Sequence, residues 1–170
     1  MRVLYFVYTA DRPGSSALRE ELVEAHWAYM DGFEFHARGP TLGDDGETAT
    51  GSLHIVDRPS DGAARAFVTE EPNWRAGVYA AMQIFRFEDL VGRTMWEFPG
   101  PEGDRFLVTG AAGEPVGDGV IVHGRLRGLD DGPVHGFAAC VQAPDAEAAA
   151  RTVRDGRDLT VRPWRFGGRR

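Results

Sequence analysis

His26 and Glu71 are two residues that could together perform acid–base chemistry, because of their residue types and their positions in the chain. Histidine is the side chain best suited to moving protons near neutral pH, and a carboxylate partner orients its ring and favours the imidazolium form. The spacing of apolar residues places His26 at the margin of the buried face of an amphipathic helix over residues 18–31. Glu71 stands directly before Pro72, which ends a second helix, so we expect a restricted backbone and an exposed side chain there.

The two residues could form a catalytic pair if both helices lie on the same face of a sheet. His26 would then act as general base or acid, and Glu71 would orient its ring. The alternative is structural: His26 forms a hydrogen bond at the edge of the core, while Glu71 is a solvated helix end.

Four further residues could shape a substrate pocket around that pair: Arg38, Ser52, Trp74 and Tyr79. Trp74 and Tyr79 lie in an irregular stretch over residues 73–81, where they could stack on a planar substrate or simply cap the core. Arg38 could bind a carboxylate or phenolate, or be an ordinary surface arginine. Ser52 could add a polar group to the pocket.

The remaining histidines and the single cysteine give little indication of chemistry. Metal-ligand spacing is missing among His36, His54, His123 and His135, so no metal site is predicted. We expect His54 and His123 to be cross-strand partners. Cys140 lies in an apolar run typical of a buried strand, and a single cysteine excludes an internal disulfide.

Strands must position the two helices, and runs of β-branched and aromatic residues predict them. They are expected at residues 3–8, 33–37, 51–56, 83–87 and 94–98, with a loop at residues 39–46 and the second helix at residues 60–68. This β-α-β-β-α-β order is the ferredoxin-like, split βαβ plan of an α+β protein, with both helices on one sheet face. The other face is apolar too, so a second sheet must cover it, from another subunit or from later in the chain.

The second half of the chain partly repeats the first. A helical segment at residues 144–153 corresponds to residues 59–68, and the same offset relates Gly136 to Gly51. Residues 159–166 supply a closing strand.

A counterpart of the first helix is missing from this repeat, because residues 108–120 form a loop rich in Gly, Ala and Pro. We therefore predict a ferredoxin-like domain over residues 1–98, a linker over residues 99–104 and a degenerate second copy over residues 105–170. The copy is expected to cover the open sheet face and form a pseudo-dimer within one chain. Whether two chains also form a homodimer is left open.

Composition excludes several functional classes. The 170 residues carry a net charge of −7, which gives no electrostatic footprint for nucleic acid or an anionic membrane. All of the basic residues are arginine, so lysine Schiff-base and P-loop mechanisms are excluded. The chain shows neither a signal-peptide pattern nor an apolar run of roughly 20 residues, so we expect a soluble, cytoplasmic protein, and no cofactor is implied.

Several short features follow one another in a characteristic order within the first 98 residues. They are the opening strand Leu4–Tyr8 followed by Asp11, His26 in the first helix, Gly39–Leu42, Gly51 and Ser52 at the start of a strand, Glu71 and Pro72, and Gly77–Tyr79 before a β-run ending at Phe87. In this order and spacing they resemble the YciI (YCII-related) family.

The resemblance implies a dimeric α+β barrel-type fold and a cleft with a histidine and an acidic residue as a proposed catalytic pair, here His26 and Glu71. One branch of the family resembles dehydrochlorinases of chlorinated aromatic diols, and others belong to biosynthetic pathways for small molecules. We therefore expect a small-molecule enzyme, lyase- or isomerase-like, that works by elimination, isomerisation or cyclisation. The alternatives are a non-catalytic module that binds a small ligand or a partner protein, and a dimerisation scaffold. The chain departs from the family pattern in having Glu71 where Asp is usual, and in its second copy.

Overall fold

A computed structural model describes residues 3–168 of the chain. Its strands are β1 Val3–Asp11, β2 Phe35–Leu42, β3 Ala49–Arg58, β4 Tyr79–Asp89, β5 Arg105–Gly110, β6 Ala112–Pro115, β7 Val120–Arg127, β8 Val134–Gln142, β9 Val153–Arg157 and β10 Thr160–Trp164. Its helices are α1 Ser16–Glu21, α2 Val23–Met30, α3 Asp61–Thr69, α4 Pro72–Arg75 and α5 Ala146–Arg151, with a 3-10 turn at Met95–Glu97. None of the helices in the described part is long and apolar enough to cross a membrane.

Eight of the strands close into one barrel, in the order β1-β3-β2-β10-β5-β8-β7-β4. β1 to β4 form one antiparallel half, and β5, β7, β8 and β10 form the other. In each half the first strand lies between the third and fourth strands, and the second strand lies at the edge. The predicted α+β fold of dimeric barrel type, with a degenerate second copy in the C-terminal half, is thereby confirmed. The division at residues 99–104 stays a prediction.

The two halves join at two seams of the same kind. At one seam β4 pairs with β7. At the other, Trp164 of β10 pairs with Thr41 of β2, and the chain continues beside β2 until Gly167 donates its backbone N–H to the Arg38 carbonyl oxygen at 3.1 Å. Because each seam pairs the fourth strand of one half with the second strand of the other, the barrel has approximate two-fold symmetry.

Apolar side chains fill the barrel and cover both of its outer faces. Successive residues of a strand point to opposite faces, so Phe6 and Tyr8 of β1 lie inside the barrel, while Tyr5 and Val7 pack outward. The outer face of the first half packs against helix residues such as Phe67. The apolar sheet face that the sequence left uncovered is thus the barrel interior, which the second half completes.

Helix capping follows the internal repeat. The Ser60 side chain accepts the Ala63 N–H at the start of α3, and the Asp145 side chain accepts the Ala148 N–H at the start of α5. These two caps are 85 positions apart, as are Gly51 and Gly136. Between its first two strands the second half has β6 instead of a helix, and β6 pairs with β9 in a separate small sheet.

The structure corrects four local predictions. The first helix is broken at Leu22, which ends α1 and begins α2 with a ψ of 2°. Residues 39–42 were expected in a loop but belong to β2, because pairing with β3 and β10 extends that strand. Residues 94–98 contain the 3-10 turn Met95–Glu97, held by a capping box, instead of an edge strand. Residues 108–120 contain β6 and are not simply a loop.

The Asp61 carboxylate at the start of α3 connects the first half to the β7–β8 loop. It accepts hydrogen bonds from the Tyr5 hydroxyl at 2.7 Å, from Arg86 Nε at 2.9 Å and from the Asp130 backbone N–H at 2.7 Å. The hydrogen bonds from Arg86, followed by those from Asp130 and Tyr5, hold the pKa of Asp61 well below its usual range.

We expect Asp61→Asn to destabilise the protein by about 2 to 4 kcal/mol near pH 7, because the buried network loses its charged acceptor. A carboxyl group whose folded-state pKa is lowered stabilises the fold above the unfolded pKa, about 3.9, and loses that contribution as the pH falls below it. The difference between wild type and variant in urea unfolding should therefore shrink near pH 3. An equal difference at both pH values would contradict this role.

Candidate active site

His26 and Glu71 lie in direct contact. The His26 Nδ1 atom is 2.5 Å from Oε1 of Glu71, and both side chains are largely buried. His26 comes from α2, whereas Glu71 is the N-cap of α4, where Pro72 occupies the first helical position. The side chain of Glu71 also accepts the Trp74 backbone N–H at 3.3 Å. The expected meeting of imidazole and carboxylate therefore occurs.

The prediction of an exposed Glu71 side chain is wrong, since the residue is 2% exposed. A short helix begins at Pro72 and turns the carboxylate inward as its cap, and this helix was not predicted. A buried carboxylate requires hydrogen-bond donors, and His26 and the Trp74 N–H supply them.

The contact occupies one ring nitrogen of His26 and leaves the other without a Glu71 partner. When Nδ1 carries a proton and donates it to Glu71, Nε2 keeps its lone pair. The ring borders a cavity, and Nε2 is the ring nitrogen that the contact with Glu71 leaves able to accept a proton. This is the arrangement of a general base held by an orienting carboxylate.

Asn73 and Tyr79 extend the pair into a buried network. Asn73 Nδ2 donates to the Tyr79 hydroxyl oxygen at 3.1 Å, and it lies 3.3 Å from His26 Nδ1, a contact that is not a hydrogen bond while Nδ1 carries its proton. Burial, together with the charge of Glu71, raises the pKa of Tyr79 well above its usual range, so its phenol is neutral. Asn73 is 1% exposed and escaped the sequence analysis, although it stands only two residues after Glu71.

Arg19 and Asp11 form a second polar group at the same site, which was not predicted, although Asp11 is part of the family pattern found in the sequence. Arg19 Nη1 donates to Asp11 Oδ1 at 2.7 Å, and Arg19 Nη2 donates to the Ser52 hydroxyl at 2.7 Å. Burial raises the pKa of Asp11, against the lowering effect of Arg19. Arg19 precedes His26 by seven residues, two helical turns, and that spacing was the available signal.

A cavity of about 240 Å³ opens beside His26 between α1, α2 and the outer face of β2 and β3. Its lining includes polar groups from both halves of the chain: Arg19, His26, Arg38, Ser52, His54, Asn73 and Arg165. The volume suits a compact small molecule. Three arginines at its walls make the cavity cationic, although the chain as a whole has a net charge of −7.

The structure places the predicted pocket residues in two groups. Arg38 and Ser52 border the cavity, as expected of substrate-binding residues. Trp74 and Tyr79 do not: Trp74 packs against the outer apolar cluster, and Tyr79 is 4% exposed beneath the site. Trp27, next to His26 on α2, and Phe166, which follows β10, are aromatic residues at the cavity wall.

His54 also borders the cavity. Its cross-strand neighbours are Val7 and Arg38, and His123 pairs with Ala139, so the two histidines are not partners of each other. Burial, together with the charges of His26, Arg19 and Arg38, holds the pKa of His54 well below its usual range. Its imidazole is therefore neutral near pH 7.

Among residues 3–168, no group of three or more His, Cys, Asp or Glu side chains is arranged to hold a metal ion.

The fold and the site define the class of the protein: an α+β barrel with a histidine–carboxylate pair at a small-molecule-sized cavity on the outer face of one half. The family model of the YCII-related domain matches residues 3–88. The chain therefore belongs to the YCII-related domain family, which confirms the resemblance found in the sequence.

Two of the solved structures that are similar to the chain illustrate the likeness. One is 5-chloro-2-hydroxyhydroquinone dehydrochlorinase (TftG) from Burkholderia phenoliruptrix AC1100, in complex with 2,5-dihydroxybenzoquinone. Its sequence is 35% identical to this chain. The match covers 50% of this chain and 93% of that chain, with a TM-score of 0.47. The other is an anthrone oxidase-like protein, 14% identical over 98% of this chain and 91% of that chain, also with a TM-score of 0.47. None of the curated proteins compared with the chain matches it.

The neutral state of His54 predicts a loss of stability in mild acid. A histidine whose folded-state pKa is lowered stabilises the fold above the unfolded pKa, about 6.5, and loses that contribution as the pH falls. Between pH 7 and pH 5 we expect wild type to lose up to about 2 kcal/mol more than His54→Phe, measured by urea unfolding. Parallel curves for the two proteins would show that His54 becomes charged as easily in the folded state as in the unfolded chain.

Proposed function

We propose that this chain is a small-molecule enzyme in which His26 transfers protons and Glu71 orients it. The observation that carries the proposal is the 2.5 Å contact between His26 Nδ1 and the buried Glu71 carboxylate, at a ring that borders the cavity. A structural histidine has no need of a buried carboxylate on one nitrogen and an open cavity beside the ring.

In the proposed step, Nε2 of His26 accepts a proton from a carbon or hydroxyl group of the substrate. The imidazolium that forms is stabilised by Glu71, whose negative charge faces the other ring nitrogen. The proton then returns to another position of the substrate or to a leaving group. Elimination, isomerisation and cyclisation share this requirement, and an elimination of lyase type is the reaction we favour.

The proposed substrate is a compact, hydroxylated ring that carries or develops negative charge. The similar TftG protein is named as a dehydrochlorinase of 5-chloro-2-hydroxyhydroquinone and binds 2,5-dihydroxybenzoquinone. The cavity of about 240 Å³ and its arginine walls suit a molecule of that size and charge. Arg38 and Ser52 are the residues we propose to bind it.

A non-catalytic binding module is the second candidate. The cationic lining of the cavity favours it, because Arg19 and Arg38 would attract an organic anion whether or not His26 transfers a proton. Turnover separates the two: a wild-type protein that binds an organic anion but converts no substrate would support the module.

We expect His26→Ala to lower turnover roughly a hundredfold to ten-thousandfold and Glu71→Gln to lower it at least about tenfold, because the base or its orientation is lost. The assay is chloride release from 5-chloro-2-hydroxyhydroquinone, with exchange of the ring hydrogens of 2,5-dihydroxybenzoquinone in heavy water as a second measurement. His135→Ala, which removes an exposed histidine of β8, is the matched control and should keep full activity.

Circular dichroism and thermal unfolding establish that each variant is folded. A folded His26→Ala protein with wild-type turnover would refute the proposed function.

A further inference from the structure

Arg38 and His54 form a cross-strand pair on the floor of the cavity. The two residues are direct partners in the pairing of β2 with β3. Both border the cavity that holds His26, and the His54 and His26 ring centroids are 5.9 Å apart. A small molecule in contact with the proposed base is therefore within reach of this pair.

The guanidinium group of Arg38 is fixed in place. Its Cζ atom lies 5.1 Å from the centroid of the Phe35 ring. On another side the guanidinium packs closely against Gly168: a Cβ atom added to Gly168 would lie only 1.8 Å from Nη2 of Arg38, so the position has no room for a side chain. Burial lowers the pKa of Arg38, although the charge of Asp31 opposes the shift. Its Nε atom is buried without a hydrogen-bond partner among residues 3–168, so the group keeps a donor that no described residue uses.

His54 offers a second unused donor. Its ring packs between Phe35 and Phe67, at centroid distances of 5.5 and 5.6 Å, and is 4% exposed. Within the described part of the chain no hydrogen bond uses its ring nitrogens. A neutral imidazole always carries one N–H, which is therefore available to a ligand.

Charged and titratable groups from both helices and from the neighbouring strand surround His54. Arg19 of α1, His26 of α2 and Arg38 of β2 act on it as positive charges. Glu71 and Tyr79 face it across a void of about 10 Å³. The cations favour an anion on the cavity side, while the single carboxylate is engaged by His26.

The second half of the chain completes this part of the site. Residues Arg165–Gly168, which follow β10, form one wall of the cavity. The Gly167 N–H holds them to the Arg38 carbonyl oxygen, and the Gly168 backbone closes over the guanidinium. These residues lie outside the match to the family model, which ends at residue 88.

We propose that Arg38 and His54 form an oxyanion-binding site, completed by residues 165–168, that takes an ionised oxygen of a phenol or enol. The inference rests on the proposed function, because it assigns the place of the negative charge once His26 has accepted the substrate proton. That proton moves to Nε2, and the electron pair left behind is delocalised onto the substrate oxygen. A fixed cation and an N–H donor stabilise the developing charge, and the charge balance needs no further reactant.

Binding of 4-nitrocatechol tests the proposal, because its visible spectrum distinguishes the neutral from the ionised phenol. We expect wild type to bind the ionised form and to lower the apparent pKa of the bound probe. Arg38→Gln and His54→Phe should each weaken binding at least about tenfold and reduce the ionised fraction, because one donor to the oxygen is lost. Arg154→Gln removes an exposed arginine of β9 away from the cavity and should bind like wild type.

Several results would overturn the proposal: a wild-type protein that does not bind the probe, a probe bound in its neutral form, or unchanged binding in both variants. If His54→Phe does not fold, Arg38→Gln alone decides. His26→Asn separates this proposal from the proposed function, since it should still bind the probe while losing turnover. An active His26→Asn protein with wild-type probe binding would refute proton transfer by His26 and leave the anion site standing.

Discussion

The buried contact between His26 and Glu71 is the constraint on which the rest of the site depends. A carboxylate that is 2% exposed is stable only when donors replace the water it has lost. The Trp74 N–H supplies one donor, through the cap of α4, and His26 supplies the other, which requires α2 to lie directly over that cap. Both requirements fix how the helices of the first half pack on the outer face of its sheet.

The described part of the second half carries no counterpart of this site. The offset of 85 residues places Phe137 and Ala139 of β8 at the positions of Ser52 and His54 of β3. Both belong to the apolar cluster on the outer face of the second half, and that half has no helix in place of α1 and α2. The second half is thus specialised for completing the barrel, and through residues 165–168 it also contributes a wall to the site of the first half.

The local charge of the site is opposite to that of the molecule. A net charge of −7 gives the surface no general affinity for anions, yet Arg19, Arg38 and Arg165 border the cavity. Asp11 holds Arg19, whereas Arg38 is held by an aromatic ring and a glycine backbone. Selection for a small anion can therefore arise from the cavity alone.

The sequence by itself determined the class of fold and the internal repeat, because these depend on local periodicity, on offsets along the chain and on short motifs in a fixed order. It also raised the pairing of His26 with Glu71 as a hypothesis, beside the alternative of a solvated Glu71. The burial of Glu71 and the places of Trp74 and Tyr79 were decided only by the tertiary structure, since they depend on how α4 turns against α2. The same holds for Arg19, His54 and residues 165–168. They reach the cavity from α1, from β3 and from the end of the second half. Packing of α1 on its own sheet brings the first two together, and closure of the barrel adds the third.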